Sequence, residues 1–377
     1  MNKDTFIIDG LRSPIGLKNG NLVGMRPDDL ASNVVKGLLE RNSSINHQNI
    51  EDVVIGCAFP EGSQGMLMAR GISIMAGIPK EAGAKVVNRL CGSSMDAAHQ
   101  ISQAIDSEDI NCGIAGGTED MFGVPMGGYM PSFNPVLFEE EYYIGMGETA
   151  ENLAKELDVS RESQENFSIA SHNKALKAIT DGKFDNEIHP IVFNENTVDK
   201  DEGPRTPDVE KMKSLDPAFD ADGTVTAATS SPISIGASAL LLGSSKFISE
   251  NNVKAKYKIV SRAVAGVDWK TMAAGPLPAS EKALKKAGME LSDIDAIELN
   301  EAFAAQSLYV IRKGGWDLNK INLNGGAIAL GHPLGCSGSR IIVTLMNVMK
   351  QQDAQYGLAT MCIGTGQGIA TIIERIK

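Results

Sequence analysis

Short apolar runs alternate with amphipathic stretches along the first third of the chain. Residues 6–8, 53–57 and 112–117 are continuous apolar runs of the kind that form buried strands. Residues 30–39 repeat apolar side chains at helical spacing, and residues 69–76 suit a second helix. Strands that alternate with helices in this way predict an α/β fold with a parallel sheet.

The pattern changes after residue 121. Residues 121–147 are rich in Gly, Pro, Met and aromatic residues and have little periodicity. Helical stretches follow at 148–156 and 161–180, and residues 194–222 are polar. We therefore predict an inserted lobe outside the sheet, after which residues 224–242 return toward the core.

The α/β pattern resumes after residue 258. We predict strands at 259–260, 294–299, 321–323, 357–361 and 368–373, with helices at 278–286 and 338–349. Each end of the chain thus contains a strand, a Gly/Ser turn, a helix, and a strand that enters a second Gly turn. This internal repeat predicts two similar sheets that face each other, with their reactive turns meeting in the middle.

Composition narrows the class of protein. The chain has 377 residues, 42% of them hydrophobic and 22% charged, which is typical of a globular protein. Its net charge of -12 and the lack of a Lys/Arg cluster argue against nucleic acid binding. The longest apolar patch, at 233–242, is too short to span a membrane. Five widely spaced cysteines without a C-x-x-C pair predict reduced thiols and a cytoplasmic location.

The first candidate reactive group is Cys91. It lies in a turn between an apolar run at 84–87 and a helical stretch at 94–105. The partial positive charge of a helix N-terminus favours the thiolate, and the thiolate is the form that attacks carbonyl carbon. Gly92 allows a substrate to approach the backbone closely.

Three later turns also carry reactive groups. They read Asn-Glu-Ala-Phe at 300–303, Gly-His-Pro-Leu-Gly-Cys at 331–336 and Cys-Ile-Gly-Thr-Gly-Gln-Gly at 362–368. Each follows a predicted strand, which is where open α/β sheets place their sites. His332 and Cys336 do not form a helical metal pair, because Pro333 lies between them.

Together with the Cys91 turn, these stretches resemble the signature segments of the thiolases, which cleave or form 3-ketoacyl-CoA. The sequence around Cys91 and around Cys362 is most similar to that of the bacterial branch that acts in fatty acid oxidation. The resemblance implies two βαβαβαββ halves packed as a five-layer α-β-α-β-α core with an inserted loop domain. The implied N-terminal half consists of residues 1–120 together with 245–266, and the implied C-terminal half consists of 267–377. The implied loop domain for CoA and substrate consists of 121–244.

The resemblance also implies roles for the reactive residues. Cys91 corresponds to the acylated nucleophile, and His332 to the histidine that takes its proton and faces the thioester oxygen. Cys362 corresponds to the second cysteine, which exchanges a proton with the acetyl-CoA α-carbon. Asn300 corresponds to the residue that holds a water in a first oxyanion hole, and the N–H groups of Gly364 and Cys91 to the second hole.

The binding of CoA is less completely specified. Ser231 corresponds to the pantetheine-contacting serine, and Met146, Ala302 and Phe303 to residues that line the substrate tunnel. The sequence departs from the family's usual pattern at four places, which are Asp216, Pro232, Ile235 and Ala273. These departures leave the CoA contacts and the chain length of the substrate open.

The implied activity is CoA-dependent cleavage of 3-ketoacyl-CoA in fatty acid β-oxidation, by a ping-pong mechanism through a Cys91 acyl-enzyme. It requires no metal and no cofactor, since CoA is a substrate. Family members form homodimers or homotetramers, and the bacterial branch joins a hydratase/dehydrogenase subunit. Two alternatives stay open: a short-chain thiolase that forms acetoacetyl-CoA, and a non-catalytic thiolase-like partner subunit. A 3-ketoacyl synthase is disfavoured, because it has no counterpart of Cys362.

Overall fold

The computed structural model describes residues 4–376 of the chain. Its strands are β1 Thr5–Arg12, β2 Gly16–Leu17, β3 Asp52–Gly56, β4 Gly83–Val87, β5 Cys112–Asp120, β6 Ile191–Phe193, β7 Asn196–Val198, β8 Ser234–Ser244, β9 Tyr257–Gly266, β10 Ala296–Leu299, β11 Tyr356–Ile363 and β12 Gln367–Arg375. Its α-helices are α1 Pro27–Arg41, α2 Met68–Met75, α3 Ser93–Asp106, α4 Pro135–Glu139, α5 Met146–Glu156, α6 Arg161–Thr180, α7 Val209–Lys213, α8 Ser245–Glu250, α9 Pro276–Ala287, α10 Ala304–Gly314, α11 Ala327–Leu330 and α12 Leu334–Gln351. The predicted α/β class is confirmed.

The strand order repeats between the two ends of the chain. In the first half the order is β4-β3-β5-β8-β1, with β3 parallel to β4 and β5, and with β8 antiparallel to β5 and β1. In the second half the order is β10-β11-β12-β9, with β10 parallel to β11, and with β12 antiparallel to β11 and β9. The two halves are therefore built on one plan.

The second half lacks a full counterpart of β4. The strand predicted at 321–323 is reduced to one parallel bridge between Ile321 and Ile297. Asn322 explains the difference, because its φ of 45° breaks the extended backbone. Its side-chain amide, rather than a further backbone pair, then bonds both the N–H and the C=O of Leu299.

The two halves join into one sheet, whereas two separate sheets were predicted. Phe6 and Ile7 of β1 pair with Lys258 and Tyr257 of β9, and this short ladder links the halves. Helices α3 and α12 contact each other and strands of both halves, so the sheet folds around them. Helix α1 covers the outer face of the first half and α9 that of the second. The layers are thus α-β-α-β-α, as expected.

The strand pairing differs from the expected division into domains at two boundaries. Strand β8 lies between β1 and β5, so the last eleven residues of the range 121–244 belong to the sheet. Ten of those residues are buried, as a central strand with both faces covered requires. Strand β9 pairs with β12 from Tyr257 to Gly266 but with β1 at only two residues, so it belongs to the second half.

A buried ion cluster ties the inserted segment to the sheet. Arg12 of β1 bonds Glu187 at 2.7 Å and Asp201 at 2.7 and 2.9 Å, and all three side chains are buried. The two carboxylates compensate the charge of the buried Arg12 guanidinium and accept its hydrogen bonds, which a buried arginine requires. All five cysteines are buried free thiols. No helix within residues 4–376 is long and apolar enough to cross a membrane.

A substitution at the crossing of α3 and α12 tests this core. A methyl group at Gly338 of α12 would overlap the backbone nitrogen of Met95 in α3. We expect Gly338→Ala to lower the free energy of unfolding by about 1–3 kcal/mol, because the overlap is with backbone. Thermal unfolding at one protein concentration measures the change.

The matched control is Gly71→Ala, at an exposed position of α2 where no atom of residues 4–376 lies within 4 Å of the new methyl group. This variant is expected to gain about 0.5–1 kcal/mol, since alanine is the better helix former. Equal behaviour of the two variants would contradict the close contact of α3 and α12.

Candidate active site

Cys91 lies at a tight turn between β4 and α3. The turn is closed by N–H donors of Gly92 to Arg89 O at 3.0 Å and of Ser93 to Leu90 O at 3.1 Å. Leu90 takes a positive φ of 44°, a costly conformation for leucine that the surrounding bonds hold in place. The turn places Cys91 immediately before the first residues of α3, as predicted.

The electrostatic expectation for Cys91 is overturned by its surroundings. Cys91 is only 8% exposed, and burial raises its pKa to about 11. The N–H groups of Gly364 and of Cys91 itself point at the sulfur and oppose this increase without cancelling it. The free protein therefore holds a thiol here, and a base must remove its proton.

The turn between β11 and β12 packs against the Cys91 turn. A methyl group at Gly92 would lie 2.7 Å from Ile363 Cδ1, and one at Gly364 would lie 2.9 Å from Leu90 Cδ1. Cys362 is fully buried; burial, and then the nearby Cys91, raise the pKa of its thiol. Both cysteines and the Gly364 N–H thus meet where the two halves of the sheet converge.

His332 has a defined tautomer. Its Nδ1 lies 2.6 Å from Ser337 Oγ, and the Ser337 hydroxyl donates to Pro333 O at 2.9 Å. The proton is therefore assigned to Nδ1, which leaves the Nε2 lone pair free to accept. Burial, with the charge of Arg340, lowers the pKa of His332 to about 3, so the ring is neutral.

Asn300 lies beside His332. Its Nδ2 is 3.4 Å from His332 Nε2, and its backbone N–H donates to Thr360 O at 3.0 Å, which anchors it at the end of β10. The side chain is only 1% exposed. The Asn300 amide donor and the His332 Nε2 nitrogen thus converge at one point. Once Nε2 takes up a proton it also becomes a donor, and two donors at one point can stabilise a developing oxyanion directly or through a water.

Serine and glutamate side chains hold the two halves of the site together. Ser94 Oγ donates to Cys336 O and accepts from Ser339 N, each at 2.9 Å, which joins the start of α3 to the start of α12. Glu119 accepts from the N–H groups of Ala58 at 2.7 Å and Gly335 at 2.8 Å. The Cys91 turn and the His332 turn are therefore held in register from both sides.

Sequence reasoning missed Glu119, Ser337 and Arg340. A signal was present for two of them, because Glu119 lies two residues after the apolar run 112–117 and Arg340 interrupts an apolar helix. A charge in such a position is buried only when it has a specific role or partner. Ser337 carried no such signal.

The predicted substrate residues lie in one region. The Ser231 N–H donates to Ala302 O at 3.0 Å, and the preceding serine forms a bridge with Phe303. The Phe303 ring packs edge-on against Phe219 with a centroid distance of 5.8 Å. Met146 Sδ lies 3.4 Å from where a methyl group on Gly364 would stand. The geometry therefore connects these side chains to the Cys91 turn.

Three of the departures from the family pattern, at Asp216, Pro232 and Ile235, have different surroundings. Ile235 is fully buried in β8, where it pairs with Asp120 and Gly16, so it is a core residue. Asp216 is exposed. Pro232 lines an open groove of about 860 Å³ on the side of Leu17.

A cavity of about 270 Å³ adjoins the Ser231 segment and was not predicted. Its lining includes two cations and one carboxylate, Arg205, Lys211 and Asp208, together with Ala227 and Ala228, which precede Ser231. His172 also lines it and accepts from the backbone N–H of Arg205 at 3.4 Å. The net positive charge and the apolar part of the lining suit an anionic aromatic group.

Residues 4–376 contain no cluster of three or more His, Cys, Asp or Glu side chains that could hold a metal ion. Cys336 Sγ lies 3.3 Å from Ser238 Oγ, and His332 Nδ1 is already occupied by Ser337.

Comparison with known proteins agrees with this geometry. Residues 5–246 match the family described as thiolase, N-terminal domain, and residues 253–375 match thiolase, C-terminal domain. The chain is 47% identical over 387 residues to the 3-ketoacyl-CoA thiolase of Vibrio vulnificus strain YJ016, covering 99% of this chain and 100% of the relative. It is 48% identical over 386 residues to that of Aliivibrio fischeri and 46% over 391 residues to that of Idiomarina loihiensis, with the same coverage.

The protonation state of Cys91 can be measured by alkylation. Because the thiol predominates below its raised pKa, we expect the rate with iodoacetamide to rise about tenfold per pH unit from pH 6 to 9. Cys91→Ser corrects for the other cysteines. A rate that levels off below pH 8 would instead indicate a thiolate–imidazolium pair with His332.

Proposed function

Because this chain belongs to the thiolase family and is an acyltransferase, we propose that it cleaves 3-ketoacyl-CoA with CoA to acetyl-CoA and a shortened acyl-CoA. The observation that carries the proposal is the meeting of a buried thiol, Cys91, with the N–H of Gly364. A neutral His332 stands beside Asn300 at the neighbouring turn. A nucleophile, an oxyanion donor and an acceptor base are the groups that acyl transfer needs.

In the first half-reaction the Cys91 thiol passes its proton to His332 Nε2 as the sulfur attacks the 3-keto carbon. The bond between Cα and Cβ then breaks, and acetyl-CoA leaves as an enolate. We propose that His332, now protonated, and a water held by Asn300 stabilise the enolate oxygen. Cys362 protonates the enolate carbon and becomes a thiolate.

In the second half-reaction the Cys362 thiolate takes the proton of the CoA thiol, and the CoA sulfur attacks the Cys91 thioester. The N–H groups of Cys91 and Gly364 hold the tetrahedral oxyanion; one such donor contributes about 2.7–4 kcal/mol in enzymes of this kind. The Cys91 sulfur leaves and recovers its proton from His332. Two half-reactions through a covalent intermediate give ping-pong kinetics.

The substrate region supports CoA as the carrier. Ser231, Met146, Ala302 and Phe303 would contact the pantetheine and acyl parts, in keeping with their position beside the Cys91 turn. The cavity of Arg205 and Lys211 would take the nucleotide and its phosphates. A cation at position 216, where this chain has Asp216, would then not be required, because Arg205 and Lys211 supply positive charge.

We further propose a place in fatty acid β-oxidation in the cytoplasm, together with a hydratase/dehydrogenase subunit. A homodimer or homotetramer would use the exposed edge of β4, which ends the sheet order and is only partly buried. An unpaired strand edge of this kind is a surface on which a second chain can pair.

Intact mass tests the chemistry. Incubation with a long 3-ketoacyl-CoA, without free CoA, should add the shortened acyl group to Cys91, and Cys91→Ala should show no adduct. Acetoacetyl-CoA is the companion substrate. An acetyl adduct from acetoacetyl-CoA alone would identify the short-chain enzyme, and no adduct from either substrate would favour the non-catalytic partner subunit.

The nucleotide cavity is tested by charge removal. The double variant Arg205→Ala/Lys211→Ala should raise the KM for CoA about tenfold with little change in kcat, because none of the reacting residues lines the cavity. Lys213→Ala is the matched control, since Lys213 pairs with Glu210 outside the cavity. An unchanged KM in the double variant would place the nucleotide elsewhere.

A further inference from the structure

Arg340 is a buried charge next to the reactive groups without a strong ion pair. It lies on α12 and is 1% exposed. Its Nη1 is 3.9 Å from Glu298 Oε2, which is too long for a good hydrogen bond. Within residues 4–376, Arg340 Nε and Nη1, and Glu298 Oε1, have no hydrogen-bond partner. Burying a guanidinium in this way is costly, so the pair with Glu298 does not by itself explain the arginine.

Arg340 also has a hydrogen-bond contact with Asn300. Glu298 and Asn300 lie two residues apart at the end of β10, so both side chains face α12. Arg340 Nη2 is 3.5 Å from Asn300 Oδ1. Arginine has only donors, so the atom that faces it must be the amide oxygen of Asn300. The Asn300 NH₂ group is thereby directed to His332 Nε2.

The contacts form a chain of hydrogen bonds that all run in one direction. Arg340 donates to Asn300, Asn300 to His332 Nε2, and His332 Nδ1–H to Ser337. Ser337 donates in turn to Pro333 O. Bonds aligned in this way polarise one another in a low-dielectric interior. Reversing the Asn300 amide would place its oxygen against an acceptor nitrogen and its NH₂ group against a cation.

We propose that Arg340 is a positioning residue that holds the Asn300 amide in the orientation required to stabilise the departing enolate. It acts through Asn300 and does not touch the substrate. This inference rests on the proposed thiolase function. Arg340 would therefore affect only the step in which the carbon–carbon bond breaks and the enolate departs. The second oxyanion hole does not depend on Asn300, because it is built from the backbone N–H groups of Cys91 and Gly364.

The test uses two reactions of the full-length protein. Exchange of the acetyl-CoA α-protons with deuterium from D₂O requires the enolate and hence Asn300. Exchange of labelled CoA into acetyl-CoA requires only acylation and deacylation of Cys91. We expect Arg340→Met/Glu298→Leu to lower the first rate about tenfold to hundredfold and to change the second by less than about threefold.

The double variant avoids an unpaired buried charge, because both members of the pair become apolar. Arg340→Met alone would leave Glu298 without a cation, and Arg340→Met/Glu298→Leu is therefore the variant whose thermal stability is compared with the wild type. Equal losses in both exchange reactions would overturn the inference, since they would indicate a merely structural role. Wild-type rates in both reactions would overturn it as well.

A double-mutant cycle adds a second criterion. In an Asn300→Ala background, Arg340→Met/Glu298→Leu should lower the α-proton exchange rate by less than about twofold further, since the residue through which Arg340 acts is gone. A further drop as large as that in the wild-type background would contradict the proposal. If the wild type catalyses neither exchange, the proposed function itself fails, which is a different outcome from failure of the Arg340 step alone.

Discussion

The close contact between α3 and α12 is the constraint on which the rest of the structure depends. Gly338 lets the backbone of α12 approach Met95 of α3, and Ser94 bonds Cys336 and Ser339 across the contact. These helices begin just after Cys91 and His332. Any change in their separation would therefore move the nucleophile relative to its base, although neither side chain takes part in the contact itself.

Burial determines the electrostatic state of the site. The same exclusion of water raises the pKa of Cys91 and lowers that of His332, so the resting pair carries no net charge. A neutral pair needs no counter-ion in the interior, and charge develops only when a carbonyl carbon is present to receive the thiolate. The backbone donors of Gly364 and Cys91 are then available for the oxyanion.

Charged side chains that do not react hold this arrangement in place. Glu119 connects the Gly335 turn to the loop after β3, and Arg12 fixes the inserted segment to β1 through Glu187 and Asp201. Arg340 stands closest to the reactive groups, behind Asn300. In each case a buried charge lies at a junction between segments distant in sequence, where a loss of pairing would cost most.

The sequence alone determined the α/β class, most of the helices and strands, and the four turns that carry Cys91, Asn300, His332 and Cys362, because apolar periodicity and glycine-rich turns are local signals. Local signals could not show that Asn322 replaces a strand with a side-chain pair, or that β8 lies between β1 and β5. Nor could they reveal that burial outweighs the helix N-terminus at Cys91, or that Arg340 faces Asn300. Those features depend on which distant segments exclude water from a group and which donors they bring to it, and only the tertiary structure decides that.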